Sequence, residues 1–211
     1  MKRGIEHMEE KSFEAAIEDF GMVLQLNPQN DAAFFNRGYA RIETKDYPGA
    51  VQDFTSALDI NPANPDAYFY RGKAKLQLED FIGAMGDFNV AIKGKPKAQN
   101  YYRLRAKAKS GLQDYRGAVT DLTLAIKLDE NNDATLFIDR AQAYLGFKDY
   151  VNAIRDLDYV VSQSPTDFHV YNVRAAVKYE AGDLNGACLD WSRAGELGDV
   201  NAYGKIRQNC N

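Results

Sequence analysis

The chain has 211 residues, 45% of them hydrophobic and 27% charged, and a net charge of −4 at neutral pH. This balance suits a globular protein, lacks the strong basic footprint of a nucleic-acid binder, and includes no apolar run near the ~18 residues needed to span a bilayer. The expectation is therefore a chain with no nucleic-acid partner and no membrane span.

From the start of the chain, Gly4, Ala16 and Phe20 set a pattern that returns to the end. Gly38, Ala50 and Phe54 follow, then Gly72, Ala84 and Phe88, then Ala106, Ala118 and Leu122, each set 34 residues after the last. One residue is inserted between Asp129 and Ala134, after which Ala141, Ala153 and Leu157, then Ala175, Ala187 and Trp191, keep the register. The spacing predicts a partial unit over 1–30, whole units over 31–64, 65–98, 99–133, 134–167 and 168–201, and a closing helix over 202–211. Met1 falls inside the opening helix of the partial unit, which reads as a trimmed or naturally short start. No apolar stretch follows Lys2 and Arg3 as a signal peptide would require.

Each unit reads as two helices joined by a tight turn. An aromatic residue (Phe34, Tyr68, Tyr102, Phe137, Tyr171) stands four positions before the small residue, one helical turn away on nearly the same face. Ser12, Asp46, Asp80, Asp114, Asp149 and Asp183 are predicted N-caps of the second helices, because their side-chain oxygens can accept an orphan amide proton. Asn27-Pro28, Asn61-Pro62, Pro96 and Ser164-Pro165 end those helices, since proline lacks an amide donor and keeps its predecessor extended.

At these residues the chain resembles the tetratricopeptide repeat (TPR) family, whose unit runs aromatic, two residues, apolar, Gly, later Ala, three residues, Phe, and finally Pro. The resemblance covers nearly the whole chain. It implies an all-α fold, a right-handed α-solenoid of helix-turn-helix repeats closed by a C-terminal capping helix, in one domain over 1–211.

The chain departs from the family before the small residue, where leucine is usual and arginine stands each time: Arg3, Arg37, Arg71, Arg105, Arg140 and Arg174. Sixteen residues later come Asp19, Asp53, Asp87, Asp121, Asp156 and Asp190. The turn lies midway, so an antiparallel hairpin brings each pair to one level. A structural ladder of charge-assisted Arg to Asp pairs is expected, fixing how the hairpins dock.

In the tail, Ala202, Ile206 and Cys210 form an apolar stripe suited to covering the last hairpin. Cys188 and Cys210 are the only cysteines; an antiparallel tail places them near one level, as a disulfide or as two buried thiols. With His7 and His169 far apart, they make no convincing zinc site, and no metal or other cofactor is expected. No Gly-rich phosphate loop, nucleophile elbow or His-Glu-x-x-His motif is present, so the reading is not an enzyme.

The resemblance further implies that the first helices of successive units line a concave groove for an extended peptide or a partner helix. Helical geometry then selects Phe35, Asn36, Tyr39, Phe69, Tyr70, Lys73, Arg103, Lys107, Ile138, Asp139, Gln142 and Asn172 as its lining. Several of these aromatics could equally pack between helices. Two readings stay open: a scaffold for a protein partner, and a receptor for a small ligand or glycan on the same surface. Cochaperone binding of a chaperone tail is disfavoured, because Asp139 stands where that clamp needs asparagine. A monomer, or weak self-association through the partial first unit, is expected. The compartment stays open between cytoplasm and an oxidising space such as the periplasm or exterior.

Overall fold

The computed structural model describes residues 1–210; Asn211, the last position of the expected closing helix, lies outside the described residues. Among those residues the protein is all-α, with thirteen helices and no strand. They gather into two compact units, Met1–Leu112 and Gln113–Asn211. The first holds α1 (Lys2–Glu9), α2 (Phe13–Leu26), α3 (Asp31–Glu43), α4 (Tyr47–Ile60), α5 (Pro65–Gln77), α6 (Phe81–Gly94) and α7 (Gln99–Gly111). The second holds α8 (Tyr115–Leu128), α9 (Ala134–Gly146), α10 (Tyr150–Gln163), α11 (Phe168–Glu180), α12 (Leu184–Glu196) and α13 (Ala202–Asn209).

The turn inside each hairpin combines two capping devices. The residue before the second helix's N-cap adopts a left-handed conformation at Lys11, Lys45, Glu79, Gln113, Lys148 and Gly182, with φ between 59° and 84°. At Lys45 this lets its own N–H donate to the Ile42 carbonyl at 3.0 Å while the Asp46 N–H donates to the Arg41 carbonyl at 2.8 Å, the paired bonds of a Schellman stop. The same residue, Asp46, then starts the next helix, its Oδ1 accepting from the Gly49 N–H at 3.0 Å. Asp80, Asp114, Asp149 and Asp183 cap in the same way. Ser12 differs from the expectation. It makes no side-chain cap bond, and the position three residues on is Ala15 rather than the glycine or asparagine of the other units.

In the first unit the core is three clusters in series. Ala16 and Phe20 take in Ala40; Ile42, Ala50 and Phe54 take in Ala74; Leu76, Ala84 and Phe88 take in Ala108. Each cluster thus borrows an alanine from the following hairpin, which makes the stacking of neighbours part of every core. The second unit repeats this with Ala141, Ala153, Leu157 and Val177. Its last cluster joins Tyr171, Ala175, Ala187, Trp191 and Ala194 to Ala202 of α13, with Ile206 and Cys210 packed alongside.

The glycine of the repeat answers to a phenylalanine ring. A Cβ on Gly72 would lie 2.8 Å from Phe88 Cε1, and one on Gly38 would lie 3.1 Å from Phe54 Cζ. Where the partner is the thinner Leu157, the position carries Ala141 instead. Ala175 shares its cluster with Trp191, so the demand for glycine belongs to the phenylalanine edge and not to any large ring.

Candidate binding site

The leading helices α3, α5, α9 and α11 are anchored by bidentate ion pairs. Arg37 donates from Nε and Nη2 to Asp53 at 2.9 and 2.6 Å, and Arg71 to Asp87 at 2.9 and 2.7 Å. In the second unit Arg140 meets Asp156 at 2.8 and 2.7 Å, and Arg174 meets Asp190 at 2.8 and 2.6 Å. Arg3 pairs with Asp19 through Nε at 2.9 Å. The carboxylates are buried, Asp53 to 2% exposure. Bonds to these carboxylates hold the Arg140 and Arg174 guanidiniums above the ordinary arginine value, although burial opposes this. Of the remaining expected pair, Asp121 is buried in the second unit, and Arg105 of the first donates to Asn89 Oδ1 at 2.8 Å.

The arginines do more than pair. Except for Arg3, each lies over the aromatic residue three positions before it, with Phe34, Tyr68, Tyr102, Phe137 and Tyr171 at 5.4 to 5.6 Å. In several units Nη1 also reaches back to the preceding hairpin, from Arg71 to Thr55 at 3.2 Å, from Arg140 to Thr123 at 3.2 Å and from Arg174 to Asp158 at 2.7 Å. The planar fork therefore ties its own hairpin together and locks it to its neighbour. A second basic residue one turn later adds to several rungs: Arg41 on Asp53 at 2.8 Å, Lys75 on Asp87 at 2.9 Å and Lys178 on Asp190 at 2.8 Å. The arginine spacing alone did not reveal this second cation, although a basic residue four positions on is visible in the sequence.

At the end of the second unit Cys188 and Cys210 are joined in a disulfide, with Cα atoms 5.8 Å apart. It fastens α13 to α12 across the cluster around Trp191.

In the first unit, four of the expected lining residues come together. Phe35, Asn36, Tyr39 and Tyr70, from α3 and α5, border a cavity of about 440 Å³ open to solvent, completed by Met8 of α1 and Asp66 of α5. The rings stand edge to face: Tyr39 and Tyr70 have centroids 5.2 Å apart at 76°, and Phe35 and Tyr70 5.7 Å apart at 81°. Asp66 lies at the rim, accepting from Lys95 at 2.6 and 2.8 Å and from the Tyr101 hydroxyl at 2.5 Å. Burial would raise its carboxyl, but these bonds outweigh it and hold the group below the usual carboxylate range. Burial pushes the Tyr70 hydroxyl up, and Tyr39, Asp66 and Glu43 push it further in the same direction.

The other expected lining residues lie elsewhere. Phe69 stacks on Tyr101 with centroids 4.3 Å apart, so it packs between α5 and α7. Lys73 and Arg103 are half-buried and Lys107 is exposed, outside the cavity lining. In the second unit Ile138 packs against the Leu157 cluster, Asp139 is half-buried, and Gln142 is exposed. The Asn172 amide donates to Asp199 at 2.7 Å, and that bond holds the Asp199 carboxyl below its ordinary value. Among the described residues no group of His, Cys, Asp or Glu is placed to hold a metal ion, and no helix is long and apolar enough to cross a membrane.

Residues 38–79 match the family model of the TPR repeat. Among solved structures, the C-terminal part of a TPR repeat-containing protein from Cytophaga hutchinsonii aligns with a TM-score of 0.81 and 18% identity, over 99% of this chain and 82% of that one. YrrB, a TPR protein with an unusual peptide-binding site, aligns with a TM-score of 0.74 and 15% identity over 91% and 99% of the two chains. MamA from Desulfovibrio magneticus aligns with a TM-score of 0.73 and 16% identity over 79% and 94%. Likeness at these identities establishes the fold alone. No curated protein sequence matches the chain.

Proposed function

We propose that the chain, whose residues 38–79 match the model of the TPR repeat, is a non-enzymatic interaction scaffold that binds an extended segment of a partner protein along the leading helices of its first unit. The observation that carries this reading is the cavity bordered by Met8, Phe35, Asn36, Tyr39, Asp66 and Tyr70. Its walls come from three successive leading helices, α1, α3 and α5, so one ligand lying across them touches three repeats at once. Aromatic side chains there offer large contact area at low entropic cost, and the polar tips of Tyr39, Asn36 and Asp66 can fix orientation.

A peptide array probed with the labelled protein, followed by titration of the hits, tests the reading. Asn36→Phe fills the cavity with a bulky neutral ring and is expected to weaken the hits at least about tenfold, the size of effect produced by losing one central anchor. Exposed Leu189 of α12 supplies the control, and Leu189→Ala is expected to leave affinity unchanged. Hits that bind Asn36→Phe as tightly as the parent chain would overturn the proposal.

A further inference from the structure

We infer that the cavity between α1, α3 and α5 receives a cationic side chain, the ammonium of a lysine or the guanidinium of an arginine carried on the partner's peptide. This rests on the peptide-binding reading above and specifies its chemistry.

The lining contains one carboxylate, three aromatic rings, a thioether and an amide, and no cation. The neighbouring cations of α3 and α5 are turned to the rungs of the ladder: Arg37 and Arg41 are held by Asp53, and Arg71 and Lys75 by Asp87. Lys73 remains on α5, but it does not border the cavity. No cation therefore borders the space, and Lys95, which lies against Asp66, is bound to it.

The aromatic geometry points the same way. Tyr70 has one face stacked on Phe54, at 6.0 Å and 17°, and is nearly perpendicular to both Tyr39 and Phe35, so the three rings cannot all present their edges in one direction. An aromatic ring is negative on its face and positive at its edge, so exposed faces attract cations. One N–H of the Asn36 amide donates to the Ala32 carbonyl at 2.8 Å, which leaves its oxygen as an acceptor beside its second N–H. Asp66 accepts three bonds from Lys95 and Tyr101, while a carboxylate has room for about four. Lys95 offsets the charge of Asp66, so what favours positive charge here is the remaining acceptor site together with Glu43, which also acts on the Tyr70 hydroxyl. An acidic ligand group in the same place would find no cation in the lining, the Lys95 ammonium being already bound to Asp66.

The test uses the full chain and a degenerate peptide array made in matched pairs, one member carrying arginine or lysine and its pair carrying glutamine or norleucine at the same position. Peptides whose binding Asn36→Phe blocks are expected to carry a basic residue at one fixed position, and replacing it is expected to weaken binding about tenfold. Tyr39→Phe keeps the ring and is expected to keep this preference, while Tyr39→Leu loses it. Asp66→Asn is expected to reduce the preference about threefold, and raising the salt concentration is expected to reduce it further. Peptides that Asn36→Phe blocks but that bind equally with norleucine or glutamine, or that prefer an acidic residue, overturn the inference and leave the scaffold reading standing. If Asn36→Phe blocks no peptide, both fall together. Circular dichroism of each variant separates loss of binding from loss of fold.

Discussion

Gly72→Ala is the substitution whose sign the packing decides. The new Cβ would sit 2.8 Å from Phe88 Cε1 and 3.1 Å from Cδ1 and Cζ, against about 3.5 to 4.0 Å for relaxed carbon contacts. Phe88 is fully buried and held by Leu76, Ala84 and Ala108, so the ring cannot swing away without disturbing its cluster. Overpacking of this kind costs about 1 to 3 kcal/mol, while exchanging glycine for alanine inside a helix returns roughly 0.5 to 1 kcal/mol. The net expectation is a destabilisation of about 1 kcal/mol. In a Phe88→Leu background the ring edge is gone and the site copies the Ala141 with Leu157 arrangement of the second unit. There the same Gly72→Ala change is expected to stabilise by about 0.5 to 1 kcal/mol, because only the helix term remains. Urea unfolding of the four proteins gives the double-mutant cycle directly. An effect of Gly72→Ala that has the same sign and size in both backgrounds would refute the packing argument.

Two further expectations concern the second unit. Asp156→Ala leaves the half-buried Arg140 without its counter-ion and is expected to cost about 3 kcal/mol, whereas the paired Arg140→Met with Asp156→Leu is expected to cost far less; equal losses in urea unfolding would show that the pair itself, and not the orphaned charge, carries the energy. Removing the disulfide by Cys188→Ala with Cys210→Ala opens a loop with a sequence separation of 22, for which chain entropy predicts a loss of about 3 kcal/mol. Hydrogen exchange should place that loss first in α13, and unchanged protection of α13 would refute it.

Much of this architecture was legible in the sequence because it rests on local spacing. The separation of 16 between Arg37 and Asp53 needs only a hairpin with a central turn, and the aspartate caps need only the next three residues. What was not legible depends on how one hairpin meets another. The Nη1 arm of Arg71 ends on Thr55, a residue whose identity varies from unit to unit, so no repeated letter marked it. The turn residues Lys45, Glu79 and Lys148 take positive φ without being glycine, because the paired carbonyl bonds on one side and the aspartate cap on the other offset a cost of about 1 to 2 kcal/mol.

The same distinction explains why sequence periodicity could not separate Phe35 from Phe69. Both occupy one repeat position, 34 residues apart, yet Phe35 borders the open cavity and Phe69 stacks on Tyr101. The difference lies in the next leading helix. After Phe35 that helix supplies Tyr70, set across the ring at 81°, and after Phe69 it supplies Tyr101, lying at 21° to the ring and tethered through its hydroxyl to Asp66. The Tyr101 to Asp66 bond thus closes one side of the wall and sets a carboxylate at the rim of the other. Neighbouring units differ here, and the difference between two tyrosines turns one aromatic position into packing and the other into the wall of an open cavity.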